Sequence, residues 1–323
     1  MTKGGPRGER RGEATHSLEG GLRRLASLAR QVREGGACSM PGVSIQYDLF
    51  VSKLRVAVQR GQVDPGQAEF VRHGLWHGFD LGLDVAKLPG RIRFKNYPTA
   101  EAARPFVTKA IRKRVEAGKT LCLGVFDSLG VQILRRHFAA YRIFPMGAVP
   151  KPLEPDERRP VSDHTATGGK AATDLEGQGL RHTLNAYNEI ARYLRPGWYM
   201  RMADVDAAFP LLPLSPLVWP FMLFVWYSCA EGAAESAELW LYVHVCGDFG
   251  TSGMPGTFKV FFTDVTMGMA RAFGVLTLDL SVYVDDLAHI GPAAEALDRE
   301  GEALRAFLAS LGIILKELKD RSA

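Results

Sequence analysis

The run Leu278-Asp279-Leu280-Ser281-Val282-Tyr283-Val284-Asp285-Asp286-Leu287-Ala288-His289-Ile290 sets two adjacent carboxylates between two apolar, β-prone segments. That pattern predicts a hairpin with the acids at its tip. Acids at a strand-to-strand turn can converge on a hard cation such as Mg²⁺, which takes oxygen ligands and keeps several waters. A third acid stands upstream in Arg201-Met202-Ala203-Asp204-Val205-Asp206-Ala207-Ala208-Phe209, where Asp204 falls near the end of a short apolar strand. Taken alone, an Asp-Asp pair is more often a surface turn and a lone Asp a strand-end cap. Their joint occurrence, in this order, is what gives them weight.

The 323 residues are 46% hydrophobic and 23% charged, enough for one large or two smaller cores. A net charge of +5 suits a polyanionic partner without requiring one. Cys38, Cys122, Cys229 and Cys246 are far apart in sequence and form no CxxC pair, which argues against a zinc site or a disulfide framework and for a reducing compartment. Met1 to Arg11 is basic, but no apolar stretch of signal-peptide type follows, so an intracellular place, cytoplasm or nucleus, is expected. The most apolar stretch, Ala207 to Cys229, is broken by Pro210, Pro213, Pro216 and Pro220, and is not expected to span a membrane.

Along the chain, residues 1–40 read as a basic, disordered tail, or as one short helix around Leu18 to Arg33. Residues 41–141 form a helical N-terminal region. Within it, helices are expected at Asp48 to Arg60, after Asp64-Pro65, and at Thr99 to Ala117. Phe144 to Val161 predicts a basic β-hairpin carrying Lys151 and Arg159, followed by a loop at Gly168 to Gly179 and a helix at Leu180 to Leu194. From Trp198 the chain becomes strand-rich. Strands are expected at Tyr199 to Val205, Phe221 to Tyr227 and Leu239 to Val245, then a helix at Thr257 to Phe273, the acidic hairpin, and a helix at Pro292 to Leu311. No GxxxxGK[ST] or GxGxxG is present, which removes the main evidence for a P-loop or dinucleotide-binding fold.

Phosphoryl transfer is mostly positioning and charge neutralisation, so it needs carboxylates to hold Mg²⁺ and cations to hold phosphates. Asp204, Asp285 and Asp286 could supply the first, and Lys151, Arg159 and Lys319 the second.

These residues resemble the fingers and palm of a reverse transcriptase, an RNA-directed DNA polymerase of retroelement type. Tyr283-Val284-Asp285-Asp286 matches the Tyr-x-Asp-Asp box. Asp204 with Ala208 and Phe209 matches the upstream Asp-x-x-x-Ala-Phe/Tyr box. Arg159 and Asp163 match the fingers box, Val149-Pro150-Lys151 the Val-x-Lys element, and Gly312, Leu315 and Lys319 the late Gly-x-x-Leu-x-x-x-Lys element. The resemblance runs from about residue 140 onward.

It implies an α+β fold of right-hand polymerase type: an antiparallel palm sheet backed by helices, fingers at 142–198, and a palm at 199–323 with an inserted fingers hairpin near 221–245. It also implies a two-metal-ion mechanism with Mg²⁺ or Mn²⁺. Asp204, Asp285 and Asp286 would be catalytic metal ligands, assisted by the Val205 carbonyl. Arg159 and Lys151 would hold the triphosphate, Phe209 would lie under the incoming sugar, Tyr283 near the primer terminus and Lys319 near the leaving group. The implied partners are dNTPs and an RNA or DNA template with primer. Asp206 falls on no required position.

Two departures qualify the resemblance. The middle box carries Gly256 where the family has a polar or bulky residue, in Gly253-Met254-Pro255-Gly256-Thr257-Phe258-Lys259. No thumb is expected within the chain, and a thumb or RNase H segment would lie downstream. A catalytically inactive, nucleic-acid-binding relic of the same fold is therefore the alternative. An RNA-dependent RNA polymerase is disfavoured by Tyr283 and Phe209.

Overall fold

Ser17 and Asp64 each stand ahead of an apolar-periodic run, and each caps a helix. Ser17 Oγ accepts from Gly20 N at 3.2 Å, and Asp64 Oδ1 accepts from Gln67 N at 2.9 Å. This computed structural model describes residues 17–83, 90–151, 154–166, 191–192, 195–229, 237–251 and 253–317. The helices α1 (Leu18–Gly35), α2 (Tyr47–Gln59) and α3 (Pro65–His77) open it. Then come β1 (Arg91–Arg93), α4 (Pro98–Ala102), α5 (Arg104–Glu116), β2 (Thr120–Val125), α6 (Gly130–His137), β3 (Tyr141–Phe144), β4 (Met146–Lys151) and β5 (Glu154–Ser162). The remainder is β6 (Tyr199–Val205), β7 (Leu223–Tyr227), β8 (Leu239–His244), α7 (Gly253–Phe258), a π-helical segment (Lys259–Thr266), α8 (Met267–Ala272), β9 (Asp279–Tyr283), β10 (Asp286–Gly291), α9 (Ala294–Ser310) and β11 (Leu315–Glu317).

The strands make three sheets. A four-stranded sheet runs β11-β6-β10-β9, antiparallel throughout. A five-stranded mixed sheet runs β1-β3-β7-β8-β2, and β4 pairs with β5 as a separate hairpin. Helix α9 packs across β6, β10 and β11. Arg201 and His289, opposite one another in the ladder, reach it by ion pairs to Asp298 and Glu300, each at 2.8 Å. Strand residues alternate between faces. Asp204 on β6 and Asp286 on β10 therefore point away from α9.

The N-terminal helices share the core beneath this sheet: Leu22, Phe50, Leu75, Phe261, Leu287 and Leu308 belong to one buried cluster. Phe50 stacks on Phe261 at 5.6 Å between ring centroids, and Lys53 lies over Phe273 at 4.5 Å. A second cluster, with Val107, Ile111, Phe144, Trp226 and Tyr242, joins α5 to the five-stranded sheet.

Several expectations change. Residues 46–141 are less uniformly helical than predicted: β1 and β2 fall there and pair with β3 and β8. The single helix expected at Thr99 to Ala117 is two, α4 and α5. Pro105 cannot donate an amide into a preceding turn, so a new helix starts beside it. The helix expected from Thr257 begins at Gly253 and contains the π-helical segment, where Lys259 and Asp264 pair at 2.8 Å across five residues. The proline-broken stretch forms two 3₁₀ turns, Phe209–Leu211 and Trp219–Phe221, before β7. No helix among the described residues is long and apolar enough to cross a membrane. Cys38, Cys122, Cys229 and Cys246 are free thiols. The tail before residue 17, the predicted loop at Gly168 to Gly179, most of the predicted helix at Leu180 to Leu194, and Lys319 lie outside the described residues.

Gly312 shows how tightly the N-terminal region is seated. Its φ is +83°, and a Cβ there would stand 1.9 Å from the Ser44 carbonyl oxygen. Ser44 Oγ donates to the Gly312 carbonyl at 2.7 Å, and Gln46 N donates to the Leu311 carbonyl at 3.1 Å. Gly312→Ala meets both a left-handed backbone and a clash with main chain. It is expected to lower stability by at least about 2 kcal/mol, read as a lowered urea midpoint. A midpoint unchanged from wild type would contradict this packing.

Candidate functional site

Asp204 and Asp286 are directly opposite in the β6–β10 ladder, and Val205 N donates to the Asp285 carbonyl at 3.0 Å. Asp286 also pairs with Tyr283 across the hairpin, so Val284 and Asp285 form a two-residue turn. Val284 has φ +58°, while Asp285 keeps a negative φ. Positive φ at the first turn position alone is the II′ pattern, which favours glycine there. A β-branched residue in that conformation costs roughly 1–3 kcal/mol. The β10–β6 ladder and the packing of Val284 against the main core hold the strained turn in place.

The other edge brings in a residue that the sequence reading passed over. Lys316 on β11 is opposite Asp204, and its Nζ lies 2.5 Å from Asp206 Oδ1. Leu315 faces the core at 8% exposure, so alternation alone puts Lys316 on the acids' face. The available signal was therefore the period-2 pattern of a short edge strand. Asp206 lies just past the end of β6 and is the partner of Lys316.

The acids feel one another. Burial and the charge of Asp285 push the Asp204 carboxyl up to about 6, with Asp286 and Asp206 adding to the rise and Lys316 opposing it. Asp285 is raised by burial and by Asp286 against the opposing charges of Arg159 and Lys316, and Asp286 is raised by burial. Arg159 on β5 is thus within electrostatic reach of the turn. It is exposed and sits opposite Val149. Lys151 does not join it: its ammonium is ion-paired with Glu154 at 3.0 Å and with Glu157, both on the same hairpin.

Asp163, the fingers-box acid, accepts from Tyr97 Oη at 2.5 Å and from Thr165 N at 2.9 Å, which makes it a loop anchor. Phe209 is 4% exposed, with its ring against Phe249 at 4.6 Å and Phe258 at 5.7 Å. The ring expected to face a sugar is therefore covered by half-exposed Phe249. Phe209→Ala is expected to cost about 3–5 kcal/mol of stability.

The loop carrying Phe249 is pinned by a buried charge cluster that no sequence motif announced. Arg114 Nη1 lies 2.5 Å from Asp248 Oδ1, and its Nη2 donates to the Gly247 carbonyl at 3.1 Å. His244 Nε2 and His164 Nε2 approach Asp248 Oδ2 at 3.3 and 3.6 Å, without aligned hydrogen bonds. Thr120 Oγ1 and His244 Nδ1 are 2.7 Å apart. Burial raises the Asp248 carboxyl, but Arg114 and His244 outweigh it and hold the group well below the ordinary range. Burial, aided by Arg114, pushes His244 down to about 4, with Asp248 opposing.

The donor set Asp204, Asp285 and Asp286 is right in kind for a hard divalent cation, and the ladder makes Asp204 and Asp286 neighbours. Their side chains do not yet converge: among the described residues, no three His, Cys, Asp or Glu side chains form a group that could hold a metal ion.

The sequence matches no protein-family model and no curated protein. Two solved structures of prototype foamy virus protease–reverse transcriptase are similar to the chain. The native form has 16% identity and a TM-score of 0.48 over 72% of this chain and 26% of that one. The selenomethionine-labelled CSH mutant has 17% identity and a TM-score of 0.50 over 71% and 25%. The chain spans about a quarter of the length of these proteins. At this identity the second likeness is one of fold, and the mixed α+β architecture here is reverse-transcriptase-like.

Two titrations oppose each other between about pH 4 and 6.5. A carboxyl raised in the folded state, as at Asp204, contributes stability below its unfolded value of about 3.9, and that contribution is lost as pH rises to about 6. A histidine lowered in the folded state works the other way: stability falls as pH drops from about 6.5 toward 4. At 1.36 kcal/mol per unit, the buried His244 contributes on the order of 3 kcal/mol. The solvent-facing Asp204 contributes about 1 after discounting for screening. Without divalent ions, the melting temperature is expected to drop on acidification through this window. Asp204→Asn should raise it at pH 7, and His244→Gln should flatten the slope. A profile that Asp204→Asn and His244→Gln both leave unchanged would contradict the assignment.

Proposed function

We propose that the chain is the fingers and palm of an RNA-directed DNA polymerase of retroelement type, catalysing template-directed nucleotidyl transfer. The observation that carries this reading is the register that sets Asp204 opposite Asp286, with Asp285 at the strained turn between β9 and β10. In this reading the fingers are 142–198, and the palm is 199–323 with the β7–β8 hairpin inserted. Region 41–141, with helices α2 to α6 and strands β1 and β2, would buttress both.

Asp204, Asp285 and Asp286, with the Val205 carbonyl, would hold Mg²⁺ or Mn²⁺ as two ions. Bound there, the ions would supply charge neutralisation and a lowered pKa at the primer 3′-hydroxyl. The chain's own residues do the positioning. Arg159 presents a planar fork of donors suited to phosphate oxygens, within reach of Asp285. Phe209 would lie under the incoming sugar once Phe249, whose ring covers it in this structure, moves aside. Tyr283 shares its ladder pair with Asp286 and would sit beside the primer end. Lys151 is the weakest of the candidates, being engaged by its own hairpin. Lys319 would stand near the leaving group.

A second reading, an inactive relic that binds nucleic acid, is favoured by the unconverged acids, by the engaged Lys151 and by Gly256 in the middle box. Primer extension on an RNA template separates the two. The polymerase reading expects Mg²⁺- or Mn²⁺-dependent dNTP incorporation, reduced at least about a hundredfold by Asp285→Asn, the scale of losing one preorganised charge-stabilising group. The relic reading expects salt-dependent binding of primed template with no extension. Incorporation that survives Asp285→Asn undiminished would remove the acids from the chemistry.

A further inference from the structure

We propose that Lys316 is a resident counter-ion of the acidic site, and that a divalent cation binds there in competition with it. This rests on the reading that Asp204, Asp285 and Asp286 hold such a cation.

Four carboxylates, those of Asp204, Asp206, Asp285 and Asp286, lie around the ends of β6 and the β9–β10 turn. Like charges placed directly opposite across a ladder repel. Something of opposite sign must offset that repulsion when no metal is present. Two cations reach the cluster: Arg159, which acts on Asp285, and Lys316, which acts on both Asp204 and Asp285. Lys316 is the one fixed by main-chain register, opposite Asp204 and on the face turned away from α9.

Its ammonium is a compact point charge on a flexible stem, and Asp206 holds it at 2.5 Å. A divalent cation entering among Asp204, Asp285 and Asp286 meets that charge. Either Lys316 stays on Asp206 and repels the newcomer, or it gives way and loses its partner. In both cases, removing the charge favours the divalent ion. Half-exposed ion pairs are commonly worth little, and the plain alternative is that Lys316–Asp206 has no influence on the acids.

Mn²⁺ titration of the full chain at low ionic strength, with free Mn²⁺ read by electron paramagnetic resonance, tests this without relying on activity. Lys316→Gln is expected to bind Mn²⁺ about tenfold tighter than wild type, a shift appropriate to removing one nearby unit charge. Lys316→Arg, which keeps the charge, should stay within about twofold of wild type. The double variant Asp206→Asn/Lys316→Gln should also bind tighter than wild type, whereas weaker binding would make Asp206 a ligand and overturn the proposal. Equal or weaker binding by Lys316→Gln overturns it too, while leaving the acidic site standing. If Asp285→Asn binds Mn²⁺ as well as wild type, or if no variant binds it at all, the acidic-site reading fails and the proposal falls with it.

Discussion

The register of β6 against its two neighbours governs everything the site can do. Pairing with β10 sets Asp204 opposite Asp286, and pairing with β11 sets Lys316 opposite Asp204. A slip of one residue would turn each of these side chains toward α9 and bring Arg201 and His289 into the cleft. The ion pairs of Arg201 and His289 to α9 work against such a slip, as do Leu287 and Leu315 in the core. The acidic face is thus specified in large part by the residues on its reverse.

That arrangement carries an electrostatic cost in the metal-free chain. Asp204 titrates near 6 because burial and Asp285 both disfavour its charge. Val284 adds backbone strain at the same place. Strain and like-charge crowding gathered in one small region are expected where a function, rather than stability, has shaped the sequence. Elsewhere the chain is conventionally built: side-chain caps at α1 and α3, prolines at helix starts, and a shared core that takes in the N-terminal helices. The Arg114–Asp248 pair, whose carboxylate is buried, is the other charged device. It fixes the loop whose Phe249 covers Phe209.

Much of this was legible in the residues. The acidic hairpin, β6, the β7–β8 hairpin and the basic β4–β5 hairpin follow from period-2 patterns bounded by turn residues, and the pairing of Asp204 with the hairpin follows from motif order. Other features were hidden for physical reasons. β1 and β2 are short strands within a helix-rich region, and they are strands because β3 and β8 offer edges to pair with. The Arg114, His164, His244 and Asp248 cluster joins residues up to 134 positions apart, beyond any local pattern. Lys316 was overlooked because the motif spacing pointed to Lys319. The burial of Phe209 under Phe249 depends on a loop conformation to which Gly247, Gly250 and the Arg114–Asp248 pair contribute.

Electrostatic coupling of Asp204, Asp285 and Asp286 into one site for a divalent cation is the proposal on which the functional reading stands. It is tested most directly by carboxyl-carbon NMR titration of the aspartates, with and without Mg²⁺. Asp204 is expected to titrate near 6 without divalent ions and to fall by more than about one unit when Mg²⁺ is added. An Asp204 that titrates near an ordinary 4 and is indifferent to Mg²⁺ would contradict it.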